Sequence, residues 1–126
     1  MKLIFLAIFS FLLISNLDKF VCLETAKGIE KVSASSFELE FDHSIYGGKV
    51  TLSASVFGEK ILVEEIRSSD EASISYYTDL YILKDGRFVS KIKEEREELI
   101  VNDGWKLRFK NGEIITKDLT KIFVCR

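Results

Sequence analysis

The stretch WKLRFKNGEIITKD, residues 105–118, decides the fold of this chain. Apolar and basic residues alternate in its first half, which is the period of a β-strand with one buried face and one wet face. Its central Asn-Gly dipeptide suits a tight turn, and β-branched residues follow it. We therefore predict an antiparallel hairpin with Lys110 opposite Glu113 and Phe109 opposite Ile114, because charge pairing and apolar pairing then agree.

The same period of two recurs on both sides of this hairpin. Gly, Asn and Asp separate the alternating segments at the roughly 8–12-residue spacing that is typical of all-β domains. We predict an all-β fold, an antiparallel meander of about eight short strands that forms a small barrel or a sandwich, with the barrel preferred. The predicted strand segments outside the hairpin are residues 36–42, 50–56, 60–66, 72–83, 88–92, 99–101 and 121–125; of these, 60–66 has apolar residues on both faces and 80–83 is an apolar run.

The first residues have the pattern of a secretory signal. A basic Met-Lys start precedes residues 3–14, in which Ser10 is the only polar residue. This apolar run is shorter than the ~20 residues that span a bilayer, and its length suits a cleaved signal peptide. We predict export to the extracellular space or the lumen of the secretory pathway, with cleavage after Ser15 or after Cys22. An uncleaved membrane anchor and a bacterial lipoprotein modified at Cys22 are the alternatives.

These patterns divide the chain into three parts. Residues 1–22 hold the signal peptide and a short mature arm, residues 23–35 form an N-terminal arm, and residues 36–126 form the antiparallel β domain. Apolar residues at every third position of the arm predict one or two helical turns interrupted by Gly28, or an irregular segment. The run KEEREE, residues 93–98, predicts a solvated turn or a short helical excursion.

The two cysteines, Cys22 and Cys125, lie near opposite ends of the chain. An oxidising compartment permits a disulfide between them, which would join the N-terminal segment to the last strand. Cleavage after Cys22 would instead leave Cys125 without this partner. The single histidine, His43, is expected on the surface at the end of a strand. Two thiols and one imidazole do not complete a closed zinc site, so we expect no metal and no other cofactor.

The charge balance argues against two classes of partner. Residues 1–15 contain one charged residue, Lys2, so the rest of the chain has 17 Lys and Arg against 20 Asp and Glu, a net charge of −3. Nucleic acid as a partner would require a basic excess, and so would a polybasic membrane-surface role. We therefore expect no nucleic-acid partner and no stable membrane insertion after signal cleavage, and a protein is the expected partner.

The wet face of the hairpin supplies the candidate binding residues. Four basic side chains are expected to share that face and to form a basic stripe, while an acidic stripe on a neighbouring strand could balance it as an ordinary solvated surface. The basic stripe is defined as Lys106, Arg108, Lys110 and Lys117, and the acidic stripe as Glu38, Glu40 and Asp42.

Three classes of function are compatible with these features. The first is a small secreted, non-enzymatic module that binds another protein through an exposed sheet face. The alternative is a lipocalin-like carrier of a small apolar ligand, although the Gly-x-Trp opening of such carriers is missing near the first strand. The third is a hydrolytic enzyme using carboxylates, but no catalytic motif selects a pair of acids. Five aromatic residues could line a carrier's cavity or simply fill the core: Tyr76, Tyr77, Tyr81, Phe88 and Trp105.

The signal can be tested on the secreted protein. We expect its N-terminus to lie between residues 16 and 23, because export should remove the apolar run 3–14. Mass spectrometry of the secreted form, with and without reduction, measures both the cleavage site and the state of the two cysteines. Full-length chain in the soluble cytosol would contradict this prediction.

Overall fold

A computed structural model describes residues 19–126, and the predicted signal segment lies outside them. The described part consists of eleven β-strands and one short helix, and the predicted all-β fold is confirmed. The strands are β1 (Phe20–Thr25), β2 (Gly28–Ser33), β3 (Ser36–Asp42), β4 (Lys49–Phe57), β5 (Lys60–Ser68), β6 (Ile82–Lys84), β7 (Arg87–Arg96), β8 (Glu98–Val101), β9 (Lys106–Phe109), β10 (Gly112–Ile115) and β11 (Thr120–Cys125); the helix is α1 (Glu71–Ser75).

The strands form two antiparallel sheets. One has four strands in the order β2-β1-β11-β8, and the other has seven in the order β10-β9-β3-β4-β5-β7-β6. Within residues 19–126 the sheets do not close into a barrel, so the preference for a barrel was wrong. Each sheet ends in strands with a neighbour on one side only, and closure would require those terminal strands to pair.

The two sheets bury a common core. Its inward residues alternate with outward polar ones, and β3 shows this most clearly, with Phe37, Leu39 and Phe41 buried. A second, smaller cluster lies beneath α1 and includes Ile74. Half-buried Trp105 packs against both clusters and stacks on Phe41 at 3.9 Å between ring centroids. The main cluster consists of Val21, Leu23, Phe37, Leu39, Ala54, Val56, Ile61, Val101, Leu107 and Ile122.

The predicted hairpin exists as β9 and β10, but the expected register was wrong. Lys110 and Asn111 occupy the turn, one position earlier than expected, and neither has a positive φ. The neighbouring strand β3 fixes β9 from its other side, with Leu39 opposite Leu107. Every side chain keeps its expected face, because the partner of each β9 residue lies two positions earlier in the sequence than expected. The observed pairs are Phe109 with Gly112, Arg108 with Glu113, Leu107 with Ile114 and Lys106 with Ile115.

The segment 23–35 is not an irregular arm or a helical turn. It contributes to the hairpin of β1 and β2, and β1 lies between β2 and β11 inside the four-stranded sheet. The threefold spacing of apolar residues was misleading because Leu23 lies in β1, Ala26 lies in the turn, and Ile29 and Val32 project to opposite faces of β2. Cys22 and Cys125 form a disulfide between β1 and β11, with 5.8 Å between their Cα atoms.

Residues 71–75 form α1, although their alternation predicted a strand. Asp70 caps this helix, because its side chain accepts hydrogen bonds from the Ser73 backbone N–H at 3.1 Å and from the Ser73 hydroxyl at 2.6 Å. A side chain at Gly48 would overlap Asp70 and Ser73, so glycine is needed where the β3–β4 loop approaches this cap. The cap, rather than the short apolar period, determines the local structure.

The charged run 93–98 does not form a helical excursion. It continues β7 through Arg96, and β8 begins at Glu98. Pairing with β5 explains this extension, since Glu95 lies opposite Leu62 and its carboxylate lies 4.0 Å from the ammonium of Lys60. The side chains of this run remain solvated, as their charge predicts.

The position of Trp105 between both clusters gives a stability prediction. We expect Trp105→Ala to lower the free energy of unfolding by about 3–5 kcal/mol, because a large side chain would leave a cavity at the junction of the clusters. Lys106→Ala, at the next position, whose side chain projects to the opposite face, should change it by about 0.5 kcal/mol or less. Chemical denaturation of both variants checks this, and equal effects would show that the assigned faces are wrong.

Candidate functional site

The outer face of the seven-stranded sheet brings most of the candidate residues together. This face points away from the core because neighbouring residues on a strand project to opposite sides. No other element of residues 19–126 forms a layer over it. We call this surface the charged face, and define it by Glu38, Glu40, Thr51, Ser53, Glu65, Arg67, Lys106 and Arg108.

Arg67 projects from β5 onto the charged face, with 19% of its side chain exposed. Its guanidinium donates to the Glu65 carboxylate at 2.6 Å and to the Ser53 hydroxyl at 2.8 Å, and it forms a further ion pair with Glu38. Burial disfavours the charged form of Arg67, but the hydrogen bonds to Glu65 and Glu38 outweigh it and raise the pKa of Arg67. The cation is therefore fixed in place between two carboxylates.

The basic and acidic stripes meet at Glu40. Arg108 Nη2 lies 2.9 Å from the Glu40 carboxylate, and Lys106 Nζ lies 3.7 Å from it. Lys106 also lies 3.8 Å from Glu113 on the other side. These ion pairs follow from the register, which places β9 directly beside β3. Positive and negative side chains therefore alternate on the charged face, and the expected basic stripe does not make it uniformly positive.

The other two residues of the basic stripe differ in their positions. Lys110 occupies the β9–β10 turn, because the turn lies one position earlier than expected, and it lines a groove of about 500 Å³ together with Glu38 and Arg108. Lys117 follows the end of β10 and lines a separate groove together with Lys27 of the β1–β2 turn. The structure therefore unites Lys106 and Arg108, and separates Lys117 from them.

A shallow groove of about 230 Å³ opens on the charged face. Thr51, Arg67 and Arg108 line it. Glu38 and Glu40 of the acidic stripe also lie in its wall. Three further grooves of about 350, 500 and 400 Å³ are also open to solvent. None of these four grooves in the described part includes Trp105 in its wall.

His43 is buried, and the expectation of a surface histidine was wrong. Its Nδ1 accepts hydrogen bonds from the backbone N–H groups of Ile45 and Tyr46, both at 3.2 Å, so the neutral ring holds its proton on Nε2. The rings of Tyr46, Tyr76 and Tyr77 surround it at centroid distances of 5.2, 4.7 and 5.5 Å. The histidine closes the β3–β4 loop, a role that its position between Asp42 and Ser44 does not reveal.

The five aromatic residues do not line a common cavity. Tyr76 and Tyr77 are about half exposed beside His43. Tyr81 and Phe88 pack edge to face and, with Trp105, contact the second core cluster. Sequence periodicity could not separate these groups, because residues 76–81, between α1 and β6, form no regular strand although their alternation predicted one.

Two general features of the described residues bear on chemistry. Within residues 19–126, no three His, Cys, Asp or Glu side chains are grouped so that they could hold a metal ion. In the same part of the chain, no helix has the length and apolar character needed to cross a membrane.

Comparison of the chain with protein-family models, curated proteins and solved structures gave no match. The interpretation of the charged face therefore rests on its own geometry and charge.

The ion pairs of Arg67 give a prediction on this face. We expect Arg67→Met to lower the free energy of unfolding by about 1–3 kcal/mol, because Glu38 and Glu65 would lose their common cation. This loss of stability is smaller than the loss expected for a fully buried ion pair, since 37% of the Glu38 side chain is exposed. The control is Arg87→Met, which removes an exposed cation from the wall of the 230 Å³ groove. It should lower the free energy of unfolding by about 0.5 kcal/mol or less. Thermal or chemical denaturation that ranks Arg87→Met as the more damaging variant would contradict the assigned role.

Proposed function

We propose that this chain is a small secreted, non-enzymatic recognition module that binds another protein through the charged face. The observation that carries the proposal is the fixed position of Arg67 between Glu38 and Glu65 on the uncovered outer face of the seven-stranded sheet. Side chains that are already held in place lose little conformational freedom when a partner binds, so such a face is preorganised for recognition.

The alternating charges favour selectivity over general attraction. Glu40 is matched by Lys106 and Arg108, so no large excess of one sign would steer distant ligands. A partner with the complementary pattern would align its opposite charges, whereas a shifted pattern would bring like charges together. Two grooves include residues of this face, one of about 230 Å³ and one of about 500 Å³, and both are open to solvent. A small-molecule site is usually a concave pocket that buries most of its ligand, so this open surface favours a protein as the ligand.

The carrier alternative has less support in the geometry. Two inward aromatic pairs fill space that a carrier would leave open: Phe41 stacks on Trp105, and Phe37 lies 5.9 Å from Phe109 between ring centroids. The four grooves described above are open surface features, which differ from the enclosed apolar cavity that an apolar ligand requires.

Export and the fold favour one of the two expected cleavage sites. β1 begins at Phe20, and Cys22 forms the disulfide with Cys125. Cleavage after Ser15 would leave both features intact, whereas cleavage after Cys22 would remove half of β1 and one sulfur of the bridge. We therefore propose cleavage after Ser15 and an oxidising destination for the mature protein.

Site-specific photo-crosslinking tests the proposed face. A photoreactive amino acid at Thr51, in the centre of the charged face, should form a discrete adduct with a partner from the extracellular fluid of the source organism. The same amino acid at Lys121, on the outer face of the other sheet and away from its terminal strands, is the matched control. Unlabelled wild-type protein should compete for the adduct, and the double variant Lys106→Glu with Arg108→Glu should compete at least about tenfold less well.

Two results would contradict the proposal. Equal adducts from both positions would show that the charged face has no special role. A folded double variant that competes as well as the wild type would show that the charges on β9 do not contribute to binding.

A further inference from the structure

An open groove lies where the terminal strands of the two sheets approach each other. β2 ends the four-stranded sheet and β10 ends the seven-stranded sheet, so each has a strand neighbour on one side only. Residues of the β1–β2 hairpin and of the end of β10 line a common groove of about 350 Å³. We call it the edge groove and define it by Leu23, Lys27, Ile29, Glu30, Ile114 and Lys117.

The free edge of β2, which begins at Ile29 in the wall of this groove, offers backbone hydrogen-bonding groups. Thr25 and Gly28 flank a two-residue turn and form a hydrogen-bonded pair. Hydrogen-bonded and non-hydrogen-bonded pairs alternate along an antiparallel ladder, so the N–H groups of Ile29, Lys31 and Ser33 point away from β1. β2 has six residues, whereas the other terminal strands have three or four. The chain contains no proline, so this edge lacks a common guard against strand addition.

The side chains of the groove are apolar in its floor and basic at its rim. Leu23 and Ile114, one from each sheet, face inward and pack with the main core. Ile29 is 61% exposed at the rim although it is a large aliphatic side chain. Lys27 and Lys117 are the basic residues of the lining and Glu30 is its one acid, which leaves a surplus of positive charge.

We infer that the edge groove binds an extended segment of a partner protein, which adds to β2 as a new strand. Its apolar side chains, at every second position, would cover Leu23 and Ile114, and an acidic residue would lie near Lys27 and Lys117. Backbone hydrogen bonds give such strand addition its affinity, and the side-chain pattern gives its specificity. This surface is separate from the charged face and does not depend on it.

A second copy of the chain fits the groove less well. Two β2 strands could pair antiparallel. The core-facing sides of the two sheets then lie on the same side only if each residue pairs with the same residue of the other copy, or with one an even number of positions away in the sequence. The two longest such registers place Glu30 opposite Glu30 or Lys31 opposite Lys31. Like charges directly opposite each other destabilise a strand pair, so a partner of different sequence is favoured.

A synthetic peptide tests this inference. The probe is a fluorescein-labelled extended peptide, Asp-Val-Thr-Ile-Ser-Val-Asp, and its counterpart carries Lys in place of Asp at both ends. We expect fluorescence anisotropy to show that wild-type protein binds the acidic peptide several-fold more tightly than the basic one. Amide NMR shifts on adding the acidic peptide should concentrate in β2.

Two substitutions at one position separate backbone from side-chain effects. Lys31→Pro removes an outward N–H without breaking the pairing with β1, and should weaken binding by about tenfold. Lys31→Ala keeps that N–H and should stay within about twofold of the wild type. If Lys31→Pro fails to fold, Ser33→Pro removes another outward N–H of the same strand.

The inference is overturned by any of three results. The first is binding of neither peptide by the wild type, and the second is a folded proline variant that binds as tightly as Lys31→Ala. A concentration-dependent dimer of the wild type that the proline substitution abolishes would place a second copy in the groove instead.

Discussion

The register of β3 between β9 and β4 is the constraint on which the core and the charged face both depend. Leu39 lies opposite Leu107 on one side and Leu52 on the other, while Glu40 projects outward toward Lys106. A slip by one residue would expose the leucines and bury the glutamate, so hydrophobic burial holds the charged side chains in their positions. The proposed recognition surface is therefore a consequence of the core, and its charges need not stabilise the fold strongly themselves.

The strongest local patterns allowed the sequence to predict much of this arrangement. Alternation over 36–42 and 105–109 predicted the faces of β3 and β9, and the turn residues predicted most strand ends. The hairpin register was missed because β3 constrains β9 from outside the stretch that was read. His43 was missed because its role is to close a loop through backbone contacts, and neither hydropathy nor spacing records such contacts. The separation of Lys117 from Arg108 depends in turn on how the chain leaves β10.

The disulfide and the edge groove show how this small domain holds its N-terminal strands. Cys22 ties β1 to β11 in the middle of its sheet, and it closes a loop of 103 residues in sequence separation. In the chain-entropy view a cross-link over so long a loop restricts the unfolded chain strongly, by up to ~4–5 kcal/mol. β2 has no comparable tie beyond its pairing with β1, which leaves it as the most extended open edge of the described part.

The two proposed surfaces differ in the physics of their binding. Contacts on the charged face are made by partly exposed ions, which salt screens over ~10 Å at 0.1 M, so binding there depends strongly on ionic strength. Strand addition at β2 relies on backbone hydrogen bonds and on apolar contacts that cover Leu23 and Ile114, which respond little to salt. A partner that engaged both surfaces would gain selectivity from the first and a salt-resistant contact from the second. Because the surfaces lie on different sheets, a single rigid partner would have to reach around the β10 edge, whereas a partner with an extended tail could occupy both.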